Sequence, residues 1–126
     1  NKAMIGFLTH SGYAHGGNGY DGIAFLIEQF RDTGLIDPAD LRHGLDLAAL
    51  ARRCAGEYAS YKASRKTSGS LEMKKIPGVH HPVFKDRPVN HDPREVYLWD
   101  LLAARGEYDV FHDFYRVLVQ ALFDAG

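Results

Sequence analysis

The sequence predicts an all-α domain, and three observations predict it. Apolar residues recur at i, i+3, i+4 and i+7 in several long segments, which is the period of one helix face. Asp-Pro pairs at 37–38 and 92–93 have the form of a helix N-cap followed by proline at the first helical position. No segment shows the alternation of a half-buried strand, and there is no repeat or low-complexity tract.

Taken in order, residues 2–9 are mostly apolar and read as the end of a helix. Residues 11–19 are too rich in glycine for regular structure and form a loop around His15. In residues 21–31 an amphipathic helix is expected to bury Ile23, Leu26, Ile27 and Phe30, stopping near Gly34. Asp37-Pro38-Ala39-Asp40 is expected to open a long helix with Leu47, Leu50, Cys54, Tyr58 and Tyr61 on one broad face, and Thr67-Ser68-Gly69-Ser70 to end it. Its cations, Arg42, Arg52, Arg53, Lys62, Arg65 and Lys66, read as a solvated surface, with phosphate binding as the lesser alternative. Residues 93–105 form the next helix, with Val96, Leu98, Leu101 and Leu102 as apolar contacts, Trp99 and Tyr97 packed or at an interface, and Gly106 as its end. The last helix, residues 107–124, should bury Val110, Phe114, Val117, Leu118, Ala121 and Leu122.

Composition narrows the class. The 126 residues fit a single domain, 1–126, and a chain opening on Asn1 is expected to be a piece of a longer polypeptide. With 45% hydrophobic and 25% charged residues and a formal net charge of -1, the chain is ordinary soluble protein without the positive field that nucleic acid requires. No run reaches the roughly 18 apolar residues that span a bilayer, and no signal-peptide pattern stands at the start. The single cysteine, Cys54, rules out an internal disulfide, fits a cytoplasmic setting, and falls on an apolar helix face as a buried thiol.

Chemistry concentrates in Lys75-Ile76-Pro77-Gly78-Val79-His80-His81-Pro82-Val83-Phe84-Lys85, followed by Asp92-Pro93-Arg94. The Pro-Gly pair stops any helix from running through the two imidazoles. Asp92 as N-cap, Pro93 at the first helical position and Glu95 closing a capping box would set Arg94 beside a helix N-terminus, where free amides already favour a carboxylate or phosphate.

The run Ile76-Pro77-Gly78-Val79-His80-His81-Pro82-Val83-Phe84-Lys85 with Asp92-Pro93-Arg94 resembles the Pro-Gly-x-x-His-x-Val-(Tyr/Phe)-(Lys/Arg)…Asp-Pro-Arg segment of citrate synthases and their relatives. Upstream, Ala14-His15-Gly16-Gly17-Asn18 resembles the His-Gly-Gly segment that opens the same family's smaller domain. The resemblance implies the helical small domain of the citrate synthase fold, with coenzyme A or acetyl-CoA as co-substrate, a keto acid such as oxaloacetate as second substrate, and a homodimer in the full-length protein. It also implies roles. His15 would hold the thioester oxygen, His81 would polarise the keto group, and Arg94 would clamp a carboxylate through two hydrogen bonds. Ile76, Pro77, Gly78 and Val79 would lie against adenine, and Lys85 would meet a phosphate.

Departures from the family pattern shape the remaining expectations. His80 stands where the family usually has glycine, Pro82 where many members have arginine, and the interval from His81 to Arg94 is longer. The family's catalytic aspartate is expected beyond Gly126, because Asp113 comes too early and lies inside a helical pattern; this piece alone is therefore expected to be inactive. His10, His43, His91 and His112 read as surface, loop or helix-face residues. A zinc site at His80, His81 and His91 is set aside, since adjacent histidines ligate one metal poorly and no cysteine supports them. The expected activity is carbon-carbon bond formation or cleavage on a coenzyme A thioester. Its rivals are citryl-CoA lyase-like or ATP-citrate lyase-like cleavage, and a non-catalytic coenzyme A or acyl-CoA binding module.

Overall fold

A computed structural model describes Lys2, Met4, Ile5 and residues 18–69, 74–79 and 93–126. Lys2, Met4 and Ile5 are helical, and four further helices follow: α1 (Asn18–Phe30), α2 (Leu47–Thr67), α3 (Pro93–Ala104) and α4 (Val110–Ala125). Among the described residues there is no strand, so the all-α expectation holds at the level of fold class.

The core is the seam between α2 and α4. On α4, Val110, Phe114 and Leu118 recur every fourth residue and are fully buried. On α2, Ala51 and Ala55 are equally buried beside Leu50 and Cys54, and these two small residues let the α4 backbone approach closely. Phe30 closes the end of α1 over the seam, its ring meeting Phe111 and Phe114 edge to face, each at 5.1 Å between centroids.

Helix α1 buries half of the expected face, Leu26 and Phe30, and is turned so that Phe25 takes the place of the two isoleucines. Phe25, Leu26 and Phe30 pack on the core, while Ile23 and Ile27 are 62% and 59% exposed. The Phe25 ring reaches both Phe114 and Tyr115, each at 6.3 Å, and burying that larger surface turns the two isoleucines outward. Beyond Phe30 the chain turns at Thr33, whose amide and hydroxyl both donate to the Phe30 carbonyl at 3.1 and 2.8 Å.

Asp37-Pro38 does not open a helix. Asp37 accepts from the Ala39 amide and Asp40 from the Arg42 amide, so short carboxylates draw these amides into turns rather than a helical ladder. Gly44, at φ 70, interrupts the chain once more, and α2 starts only where Asp46 caps the Ala49 amide at 2.8 Å. Pro38 has another part: its carbonyl accepts from the Val110 amide at 2.9 Å, meeting an otherwise orphan donor at the start of α4. His43, expected on the surface, is half-buried, with Nδ1 accepting from the Leu45 amide at 2.9 Å.

Among the described residues of helix α3 Trp99 is buried and Leu102 half-buried. The Arg116 guanidinium lies 5.6 Å from the centre of the Trp99 ring, whereas Val96, Leu98 and Leu101, expected as core contacts, are 41%, 51% and 41% exposed, and Tyr97 is exposed too. Trp99, the largest apolar surface on the helix, takes the buried position, which leaves Val96, Leu98 and Leu101 on more open faces. Helix α3 ends in a Schellman motif: Glu107 donates to the Leu102 carbonyl at 2.9 Å and Gly106, at φ 71, to Ala103 at 3.1 Å. Among the described residues no helix is long and apolar enough to cross a membrane.

Candidate functional site

Ile76-Pro77-Gly78-Val79 forms a tight turn, with the Val79 amide facing the Ile76 carbonyl at 3.4 Å. Proline at the second position and glycine at the third, with Gly78 at φ 80, are the residues that a type II turn requires. The segment is pinned at both ends and from below. The Lys74 amide donates to the Tyr61 hydroxyl at 3.0 Å, Ile76 is 6% exposed and belongs to the core, and the Tyr115 hydroxyl donates to the Pro77 carbonyl at 3.2 Å. A Cβ built on Gly78 would stand 3.3 Å from the Tyr115 ring, so the turn lies flat on that ring.

Held there, residues 74–79 make one wall of a groove of about 680 Å³. Asp21, Ala24 and Phe25 of α1 and Tyr58 and Tyr61 of α2 make the others. Its size is that of small-molecule sites. Tyr58 and Tyr61 stack at 6.2 Å and 25°, offering flat aromatic surface, and the Lys62 ammonium sits 5.5 Å from the centre of Tyr58. Lys74 and Lys75 stand exposed at the rim.

Burial pushes the Tyr115 phenol up to about 12, with the Glu95 carboxylate and the Cys54 thiol adding to it. At neutral pH Tyr115 is therefore a firm donor to Pro77. Burial also raises Tyr58, reinforced by Tyr61. The groove as described combines aromatic walls, two ammonium groups and one carboxylate, which suits holding a flat, phosphorylated molecule. Among its described lining residues there is no imidazole and no nucleophile paired with a base.

The expected site residues divide accordingly. Ile76, Pro77, Gly78 and Val79 come together in one groove wall, although the Ile76 side chain is taken up by the core and leaves mainly its backbone to a ligand. Arg94 is exposed in the first turn of α3, directly after Pro93, and does not line this groove. His15, His81 and Lys85 lie outside the described residues, as do His10, His80, His91 and Asp92. Asp113 accepts from the Tyr108 hydroxyl at 2.8 Å and lines a separate groove of about 1030 Å³ between α3 and α4. Among the described residues no group of three or more His, Cys, Asp or Glu side chains could hold a metal ion.

Sequence reasoning missed Asp21, Phe25, Lys74 and Tyr115, and took Tyr58 and Tyr61 for core residues. Lys74-Lys75 directly before Ile-Pro-Gly was a local signal for the rim; the two tyrosines and Asp21 reach the groove only through long-range packing.

No family model, curated protein or solved structure matches the chain.

Proposed function

We propose that the chain is the coenzyme A-binding helical domain of a citrate synthase-like enzyme that forms or cleaves a carbon-carbon bond between acetyl-CoA and a keto acid such as oxaloacetate. One observation carries the reading: the residues that the family resemblance assigns to adenine, Ile76 to Val79, form a rigid turn on the wall of a groove faced with Tyr58, Tyr61 and Phe25 and edged by lysines. A purine stacks against such walls, and phosphates meet such a rim.

In this reading the bond forms when a base removes a proton beside the thioester carbonyl and the carbanion equivalent attacks the keto carbon. His15 holds the thioester oxygen as negative charge gathers there, His81 polarises the keto carbonyl, and Arg94 clamps the keto acid's carboxylate. The reverse sequence is the lyase alternative, and side chains do not distinguish the two directions. Such a site belongs to a cleft completed by a second domain and, in the family, by a dimer.

The second reading, a coenzyme A or acyl-CoA binding module without catalysis, is favoured by His80 in place of the family's usual glycine and Pro82 in place of arginine. Calorimetry with coenzyme A and a thiol-release assay with acetyl-CoA plus oxaloacetate, or acetyl-CoA release from citryl-CoA, in the full-length protein test both. Binding with turnover that His81→Ala abolishes supports the enzyme; binding without turnover supports the module. Failure to bind coenzyme A sinks both.

A further inference from the structure

The groove of about 1030 Å³ between α3 and α4 shares no lining residue with the turn-bearing groove, and it already seats a cation of the chain's own. Arg116 of α4 places its guanidinium 5.6 Å from the centre of the Trp99 ring. A hydrogen bond from the guanidinium to Tyr108 first, then the charges of Asp113 and Asp100, push it above its ordinary value. Tyr108 in turn donates to Asp113 at 2.8 Å. Arg116 and Asp100 are exposed, so this is a solvated seat rather than a buried ion pair. His43 adds no charge, because its Nδ1 accepts from the Leu45 amide and a protonated ring has no acceptor to offer. Two carboxylates against one guanidinium leave the described lining with one unit of negative charge, set among the apolar Leu45, Leu47, Val96 and Val117.

We infer that this groove docks a peptide segment of a partner through an arginine set between apolar residues, its guanidinium displacing that of Arg116 from the Trp99 ring. The site is independent of the coenzyme A reading. Arg116 shows that the seat accepts a planar guanidinium, which stacks on an aromatic ring and hydrogen-bonds oxygen acceptors at its edges. Displacing it costs little, since contacts between exposed charges are weak and the released side chain returns to water. The incoming arginine brings two things that Arg116 does not. Its charge brings the groove to neutrality, whereas an acidic segment meets repulsion from the carboxylates. Its apolar neighbours cover Leu45, Leu47, Val96 and Val117, all of which are exposed or half-buried. A free guanidinium compound lacks that second contribution.

The test uses the full chain, in which Trp99 is the single tryptophan and its emission reports on this groove. The probes are the capped pentapeptide acetyl-Ala-Leu-Arg-Leu-Ala-amide, the same peptide with uncharged, near-isosteric citrulline for arginine, and acetyl-arginine amide. The arginine peptide is expected to shift Trp99 emission saturably and to bind about tenfold more tightly than the citrulline peptide. Asp100→Asn should shrink that preference, and Arg116→Ala, which removes the internal competitor, should tighten the arginine peptide about threefold. Both substitutions fall on exposed residues, and circular dichroism checks that the helices persist. Equal binding of the two peptides overturns the inference, as does an Arg116→Ala variant that binds more weakly than wild type. Acetyl-arginine amide binding as tightly as the pentapeptide overturns docking of a peptide. Neither an emission change nor binding heat, in wild type and Arg116→Ala alike, overturns the site.

Discussion

Tyr115 and Pro77 are joined by a 3.2 Å hydrogen bond that spans 38 residues of sequence and ties the groove-lining turn to the core helix α4. The same ring underlies Gly78 and touches Phe25, so two walls of the groove rest on one side chain.

That dependence can be measured. Tyr115→Phe keeps the ring and removes the donor, and should cost about 1 kcal/mol, seen as a melting temperature lower by a few degrees. Gly78→Ala should cost about 1–2 kcal/mol, because alanine is strained at φ 80 and its methyl group presses on the Tyr115 ring. Limited trypsin digestion after Lys74 and Lys75 should accelerate in both variants without ligand. Cleavage unchanged from wild type would show that Tyr115 does not hold the turn.

The aromatic cluster at the α2/α4 seam sets the stability. Phe114 is fully buried, with the rings of Phe30, Phe25 and Tyr115 around it. Phe114→Ala should therefore cost about 3–5 kcal/mol, a large part of the 5–15 kcal/mol typical of a domain. Urea denaturation is the measurement, and a loss under about 1 kcal/mol would mean the seam is not the core. Ile23→Ala, on the exposed face of α1, is the matched control and should change stability by no more than about 0.5 kcal/mol.

How far this was legible in the sequence depended on the range of the interaction. The period of α4 and of the Leu50–Cys54 face of α2 stands out in the residues because each buries one continuous stripe at helical spacing. On helix α1 the stripe Ile23, Leu26, Ile27 and Phe30 overlaps a second one through Phe25, and Leu26 and Phe30 are buried in either case. Which stripe is buried depended on aromatic partners some 90 residues away, which periodicity does not see. Asp37-Pro38 was misread because an aspartate caps a turn as readily as a helix, and only Gly44 and Asp46 further on decide between them. The Pro77-Gly78 turn is local chemistry and was readable; the tyrosines and Asp21 that make it a groove were not.

Cys54 should be an inert thiol. Burial pushes it from an ordinary value of 9.0 up to about 11, with Glu57 adding to the rise and Arg53 opposing it. Iodoacetamide at pH 8 should modify it slowly in the native protein and rapidly in urea, since the thiolate is the nucleophile. The pH dependence of stability has a definite sign. Between pH 9 and about 11 the unfolded chain releases a proton that the folded chain keeps, so the stabilisation present below pH 9 is lost as pH rises through 11. Cys54→Ser should show a shallower decline across this window, and an identical decline would assign the effect to other groups.

The N-terminus of α4 depends on Asp109, and its replacement should be felt where the core begins. Oδ1 accepts from the Phe111 amide at 3.0 Å and the His112 amide at 3.3 Å, and lies 2.7 Å from His112 Nδ1, while the Pro38 carbonyl takes the Val110 amide. These contacts serve three of the four amides that every helix start leaves without an internal partner. Nδ1 also lies 3.3 Å from the Asp109 amide, but one nitrogen cannot donate to the carboxylate and accept from that amide at once, so the shorter contact governs. Asp109→Ala should cost about 1–2 kcal/mol, and Asp109→Asn, which keeps an acceptor, only a fraction of that. Hydrogen exchange at the Phe111 and His112 amides should quicken in Asp109→Ala while the Leu118 amide keeps its protection relative to global stability. An alanine variant that melts with wild type and protects those amides equally would mean that packing of Val110, rather than the cap, starts the helix.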